Sequence, residues 1–248
     1  MYLLPPEFLV LLALVALFTG FVKAGVPSLG ALMSAVVALA FTPREALGIC
    51  LIYLLVGDVI AVSFYWRLAH LNELKKMIVP VLLGIVAGGF MLNFLDDNNL
   101  GLVIGLMVVF LVALEPFRPT LTEWAKLHPH SVRSSSGVLA GISTTIGNAA
   151  GPIMSLYFLL LKLDKKTFVG TSSIFFLTVN TTKLPIFYYQ ELFTTAYLPS
   201  IALTAPLVYI GALFGRKFLE WVSQLWFTRI ILVCTALAGS WLIIRYFI

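Results

Sequence analysis

Long runs of apolar residues, separated by short polar segments, make up most of the chain. A helix needs about 20 apolar residues to cross the hydrocarbon core of a bilayer. The pattern therefore predicts an all-α fold, a polytopic bundle of membrane-spanning helices. Runs of suitable length lie at residues 46–66, 77–95, 98–117, 168–189, 194–215 and 226–247.

Two further apolar runs, residues 6–41 and 134–163, are too long for one crossing and too short for two. Small residues interrupt each run near its middle, at 25–30 and at 147–152. We expect each run to form a hairpin of two short helices that is broken inside the membrane. The chain then has ten segments, or eight if each hairpin is scored once. Whether the hairpins cross the whole membrane is left open.

The two hairpins are similar to each other. The predicted repeats are residues 1–117 and 134–248, and a polar linker at 118–133 joins them. Each repeat contains five segments, an odd number, so the two should lie in the membrane in opposite orientations. Inverted repeats with broken helices are the architecture of many secondary transporters. A shift of 121 positions places Gly20, Gly30, Met33 and Ser34 on Gly141, Gly151, Met154 and Ser155.

Composition and charge agree with a membrane protein. Hydrophobic residues make up 60% of the chain and charged residues 11%, whereas soluble domains carry about 25% charged residues. The formal net charge of +5 does not predict nucleic-acid binding, because basic residues in membrane proteins collect in cytoplasmic loops. We expect a multi-pass protein of the cell inner membrane. Its basic segments 67–76, 118–133, 162–167 and 216–225 should face the cytoplasm, and 96–99 and 190–193 should lie outside.

Three charged residues fall inside the predicted helices: Lys23 at the first break, Asp58 and Lys183. Each costs about 2.5–3.5 kcal/mol at the bilayer centre, so each needs a partner or a watery cavity. Helix N-termini at the breaks present unpaired N–H groups, which favour an anion. The sequence predicts an anion site between the hairpin tips. The alternatives are a structural pair between Asp58 and a lysine, or a Lys183 that reaches the outer surface.

Neutral polar residues extend this candidate site. Asn180 and Lys183 are spaced i, i+3 and share a helix face. Asp58 is the candidate for an ion pair or for coupling to an ion, a proton or sodium. Hydroxyls in membrane helices often bond to their own helix carbonyls, and we expect half of the Ser and Thr side chains near the breaks to do so. The candidate substrate-binding residues are Lys183, Asn180, Asn148, Gly151, Gly30, Lys23, Thr144 and Ser172.

The sequence offers little for catalysis. His70, His128 and His130 fall in predicted loops, so no histidine base lies at membrane depth. There is no P-loop motif and no Cys/His cluster with metal-ligand spacing. Cys50 and Cys234 lie in separate apolar runs and predict no disulfide. We therefore expect no enzyme activity, no cofactor and no metal.

Short motifs in a fixed order resemble one family. They are Gly20-x9-Gly30, Gly141-x9-Gly151, Gly170-Thr171-Ser172, Asn180-x2-Lys183-x-Pro185 and Gly211-x3-Gly215-Arg216. Over nearly its whole length the chain is similar to the TauE/SafE family of sulfite exporters. The resemblance implies a secondary transporter for small anions such as sulfite, organosulfonates or related sulfur oxyanions. The second glycine run is poorer in glycine than in many relatives and Lys23 matches no family motif, so the substrate stays open.

The expected function is secondary active transport of a small anion, sulfite or an organosulfonate, by alternating access. A passive anion channel and a non-transporting membrane partner subunit are the alternatives. A cation carrier that uses Asp58 as its ligand is disfavoured, because two lysines at the same depth would repel the substrate. The direction of transport, the coupling ion and homo-oligomerisation are left open.

Overall fold

The structure is a computed structural model, and it describes residues 3–37, 40–94 and 127–247, together with residues 99, 106, 113 and 123. These described residues form helices joined by short turns, and they include no strand. Apart from residues 99, 106, 113 and 123, the predicted span 98–117 and the outer loop 96–99 lie outside the described residues, and so does most of the linker 118–133.

The helices follow the predicted apolar runs. Three of the described helices, Pro6–Gly25, Arg44–Leu68 and Leu71–Met91, are long and apolar enough to cross a membrane. The α-helices of the described residues are α1 (Pro6–Gly25), α2 (Gly30–Val37), α3 (Pro43–Tyr65), α4 (Leu71–Met91), α5 (Pro129–Gly147), α6 (Ala150–Leu160), α7 (Lys165–Tyr189), α8 (Leu198–Thr204), α9 (Pro206–Trp221) and α10 (Gln224–Phe247).

Both hairpins break at the small residues that the sequence singled out. In the first hairpin α1 ends at Gly25, and a short 3₁₀ turn over Pro27–Leu29 leads into α2. In the second hairpin α5 ends at Gly147, and Asn148 adopts the left-handed conformation with φ 53° and ψ 29° before α6 begins. Asparagine tolerates this conformation better than most residues, so the break has a local cause.

One predicted span is divided. Residues 194–215 were expected to form a single helix, but the structure has α8 and α9 with a bend of 48° between the helical segments Thr195–Thr204 and Pro206–Trp221. Pro206 has no N–H to continue the hydrogen-bonding of α8, and its ring clashes with the preceding turn. Hydropathy alone does not detect this break, because both helices are apolar.

Side chains cap the two helices that follow the hairpins. Thr42 caps α3 in a capping box with Glu45, and the Asp164 carboxylate caps α7 by accepting hydrogen bonds from the N–H groups of Lys166 and Thr167 at 3.0 and 3.2 Å. Partial burial of Asp164 raises its pKa, but the bonds from Thr167 and Lys166 outweigh this and hold the pKa below its usual value. The two caps lie 122 positions apart, one residue from the shift of 121 between the predicted repeats.

Glycines allow equivalent helix pairs to pack backbone to backbone. The α1 helix packs against α9, and α5 packs against α4. A Cβ atom on Gly211 would overlap the carbonyl oxygen of Leu17, and one on Gly84 would overlap that of Val138. Leu17 and Val138 lie 121 positions apart, so the two pairs make the same contact. Close approach at small residues is typical of membrane helix interfaces.

The α3 and α7 helices pack against each other in an antiparallel arrangement. A Cβ atom on Gly48, near the start of α3, would overlap the carbonyl oxygen of Leu192 beyond the end of α7, whereas one on Gly170, near the start of α7, would lie 2.7 Å from that of Tyr65 at the end of α3. Because α3 and α7 are equivalent helices of the predicted repeats, this arrangement agrees with an inverted relation. The division into 1–117, 118–133 and 134–248 stays a prediction.

Candidate functional site

The two hairpin breaks meet in the interior of the bundle. A Cβ atom on Gly151, in the first turn of α6, would lie 2.8 Å from the Pro27 carbonyl oxygen and 3.0 Å from that of Ser28. On the other hairpin, a Cβ atom on Gly30 would lie 3.7 Å from the Asn148 carbonyl oxygen. The N-terminal ends of α2 and α6 are thereby brought together, and both carry the positive end of a helix dipole.

A buried carboxylate joins three helices beside this meeting point. The Lys23 Nζ atom lies 2.6 Å from Asp58 Oδ1, and Asn180 donates a hydrogen bond of 2.6 Å from Nδ2 to Asp58 Oδ2. The Lys23 ammonium also lies 4.4 Å from the centroid of the Phe176 ring, a cation–π distance. One of the alternatives predicted from the sequence, an ion pair between Asp58 and a lysine, is therefore present, and the lysine is Lys23.

Lys183 lies in a different environment. Its side chain is fully buried, and Nζ donates to Asn148 Oδ1 at 2.7 Å, to the Thr144 carbonyl oxygen at 3.0 Å and to Thr144 Oγ1 at 3.1 Å. Asn148 is held in turn by Ser34, whose Oγ accepts from Asn148 Nδ2 at 3.1 Å. The ammonium has three donors, so all are used on neutral oxygens. In the described part of the chain, no carboxylate forms an ion pair with Lys183.

A small cavity lies between the two breaks. Its volume is about 10 Å³, which is room for about one water molecule. Its walls contain a cation, amides, a hydroxyl and the first turns of α2 and α6. The lining residues are Lys23, Pro27, Gly30, Leu54, Thr144, Asn148, Gly151, Phe176 and Asn180.

Comparison with known proteins identifies the family. The family model described as Sulfite exporter TauE/SafE matches residues 12–242 of the chain. The chain belongs to the TauE/SafE family. No curated protein and no solved structure matches it. This TauE/SafE protein is therefore a multi-pass membrane protein, and its family is one of membrane transporters for sulfur anions, as the sequence motifs indicated.

Most of the substrate-binding residues predicted from the sequence line the cavity of the TauE/SafE protein. Ser172 is not among them: it is buried on α7, two turns before Asn180, and does not line the cavity. Lys183 lies behind Thr144 and Asn148 and does not line the cavity either. With no exposed side-chain surface, it does not reach the outer surface. The predicted residues in the cavity wall are Lys23, Gly30, Thr144, Asn148, Gly151 and Asn180.

Besides Pro27 and Leu54 of the cavity wall, three residues of the TauE/SafE site were not predicted from the sequence. Ser34 holds the Asn148 amide, and its alignment with Ser155 in the repeat is the signal that could have found it. Phe176 precedes Asn180 by one turn and shares its helix face. The buried Ser28 hydroxyl at the first break has no hydrogen-bond partner among the described residues, and nothing in its sequence context distinguishes it.

Proposed function

We propose that this TauE/SafE protein is a secondary carrier of a small sulfur anion, sulfite or an organosulfonate, across the cytoplasmic membrane. The observation that supports it most is the environment of Lys183, a buried ammonium that donates to neutral oxygens and lies 5.3 Å from the centroid of the Phe187 ring, with no carboxylate paired to it among the described residues. An unpaired buried charge is strongly unfavourable. An anion in the neighbouring cavity would offset that cost, and this is a reason for a carrier to keep such a lysine.

The walls of the cavity supply the donors that an oxyanion needs. Lys23 and Asn180 both line the cavity, and in this structure Asp58 holds both of them. An entering anion would compete with Asp58 for these donors, with the first turns of α2 and α6 adding their dipoles. Lys183 would contribute its charge and fix Thr144 and Asn148. Asp58, once released, is the proposed group for a coupled proton or sodium ion.

The size of the cavity favours a carrier over a passive channel. A space of about 10 Å³ is too small for a sulfur oxyanion, which has several heavy atoms. The hairpin tips must therefore separate for the anion to enter. We expect the tips to open toward one side of the membrane at a time, which is alternating access in a repeat architecture.

Counterflow in proteoliposomes tests the proposal. The purified protein should exchange labelled sulfite for internal sulfite with saturation, and Lys183→Met should lower the initial rate at least about tenfold, since a lost hydrogen bond to a charged group costs about 1.5–3 kcal/mol. Lys217→Met is the matched control, because Lys217 is exposed on α9, and it should keep the wild-type rate.

Two results would contradict the carrier assignment. Flux that does not saturate and shows no exchange would indicate a passive anion channel. No movement of sulfite or of any organosulfonate by folded protein would indicate a partner subunit of another transporter.

A further inference from the structure

The buried charges near the cavity leave one positive charge without a partner. Lys23 and Asp58 form a close ion pair and cancel, whereas Lys183 has neutral partners only. Glu73 is the other buried carboxylate of the described residues, and it pairs with Arg133, whose Nε lies 2.5 Å from Glu73 Oε1. The described part of the chain therefore presents the cavity with a single net positive charge.

Charge balance matters more here than in an exposed site. Charges interact more strongly in a low-dielectric interior than in water, and a net charge left there is poorly solvated. An anion with one charge would leave the occupied site neutral. An anion with two charges would bring one uncompensated negative charge into a cavity whose lining, apart from Lys23, is neutral.

We propose that the site selects singly charged anions and that Asp58 sets this selection by cancelling the charge of Lys23. The substrate class is then an organosulfonate with one charge or hydrogensulfite, and the doubly charged oxyanions are excluded. This inference rests on the proposed carrier function. The selection belongs to the site with Asp58 ionised, as in the ion pair with Lys23. A coupled proton on Asp58 would leave two positive charges, so proton coupling would change the anion charge that the site favours.

Methanesulfonate and sulfate are the probes that separate charge from shape. Both are tetrahedral around sulfur and have the same number of heavy atoms, but methanesulfonate carries one negative charge and sulfate carries two. In proteoliposomes, wild-type protein should exchange labelled methanesulfonate at least about tenfold faster than labelled sulfate, a factor equivalent to about 1.4 kcal/mol.

Variants that change the charge count provide the decisive comparison. Asp58→Asn conserves shape and leaves two positive charges, so the ratio of sulfate to methanesulfonate exchange should rise at least about tenfold. Lys23→Met with Asp58→Asn restores one positive charge, and the preference for methanesulfonate should return. Lys23→Met alone leaves no net charge, and exchange of both anions should be lost.

The outcomes distinguish this inference from the carrier function. Wild-type protein that exchanges sulfite and also takes sulfate as readily as methanesulfonate would overturn the charge selection while the carrier function stands. An unchanged ratio in folded Asp58→Asn would overturn the role of Asp58. If Asp58→Asn does not fold, the double variant and Lys23→Met still test the charge count. A wild-type protein that exchanges no anion would instead refute the proposed function.

Discussion

Asn148 connects the backbone of the second hairpin to its charge. It takes the left-handed conformation that separates α5 from α6, and its side chain accepts a hydrogen bond from Lys183 and donates one to Ser34. A single residue thus sets both the shape of the break and the position of a buried ammonium. Replacing Asn148 therefore tests whether Lys183 has only a structural role or also takes part in anion binding.

Asn148→Asp should preserve folding and impair transport. Aspartate also tolerates the left-handed conformation, and its carboxylate would pair with Lys183 where the amide oxygen now lies 2.7 Å away. We expect an unchanged or higher melting temperature in detergent, together with at least a tenfold loss of sulfite counterflow, equivalent to about 1.4 kcal/mol. Transport at the wild-type rate would show that the charge of Lys183 is structural only. Asn148→Gly permits the same backbone conformation and removes the amide without adding a charge, so comparison with it separates the added carboxylate from the lost amide.

The sequence predicted the buried charges but not their pairing. Lys23, Asp58 and Lys183 are conspicuous because they interrupt apolar runs. Which lysine meets Asp58 depends on how α1, α3 and α7 rotate against one another, and that is a property of packing. Ser172 was nominated for its hydroxyl, but eight residues of helix separate it from Asn180, which is about 12 Å along the axis.

At the scale of elements, the contact between the two breaks depends on Gly151. Gly151→Ala should disturb it, because the added Cβ would lie 2.8 Å from a backbone carbonyl of the other hairpin. Overpacking of this kind costs about 1–3 kcal/mol, which a lower melting temperature in detergent would report.

Gly30→Ala is the matched control for the contact between the two breaks. Gly30 also lines the cavity, but its added Cβ would lie 3.7 Å from the nearest atom, an ordinary contact. The melting temperature should stay close to that of the wild type. Equal destabilisation by Gly151→Ala and Gly30→Ala would contradict a close backbone contact between the two breaks at Gly151.

Prolines show why helix ends were harder to predict than helices. Pro80 and Pro185 remain inside α4 and α7, whereas Pro206 begins a new helix. Gly137 provides space for Pro80, because a Cβ atom there would lie 2.9 Å from the proline ring. Such accommodation comes from a neighbouring helix and cannot be recognised in the local sequence.

At the scale of the molecule, the charge pattern predicts which ends of the helices face the cytoplasm. In a background with Cys50 and Cys234 replaced by alanine, Lys76→Cys and Lys217→Cys should react with a membrane-impermeant maleimide only after the membrane is opened. Ala196→Cys, in the loop between α7 and α8, should react in intact spheroplasts. All three positions are exposed. The opposite pattern at one lysine alone would refute the inverted topology, whereas the opposite pattern at all three positions would reverse the predicted orientation.

The overall architecture was predictable because its signals are repeated along the chain. Apolar runs located the described helices with ends up to six residues away, as at Leu71 where residue 77 was predicted, and matched glycines located both breaks. The sequence did not predict that helices of one repeat pack against helices of the other. In the structure α1 packs on α9, and α5 packs on α4. Hydropathy identifies which segments enter the membrane, but the backbone contacts at Gly20 and Gly84 determine their neighbours.

The distance along the chain between α1 and α9 affects how the protein is made. At about 5–20 residues per second, a ribosome needs about 10 to 40 s to proceed from the end of α1 to the end of α9. During that interval the glycine-lined face of α1 has no α9 to cover it, and it must face lipid or the insertion machinery. The first hairpin therefore reaches its final position late in synthesis, and a nascent chain stalled before Pro206 would present an unpartnered α1 to membrane quality control.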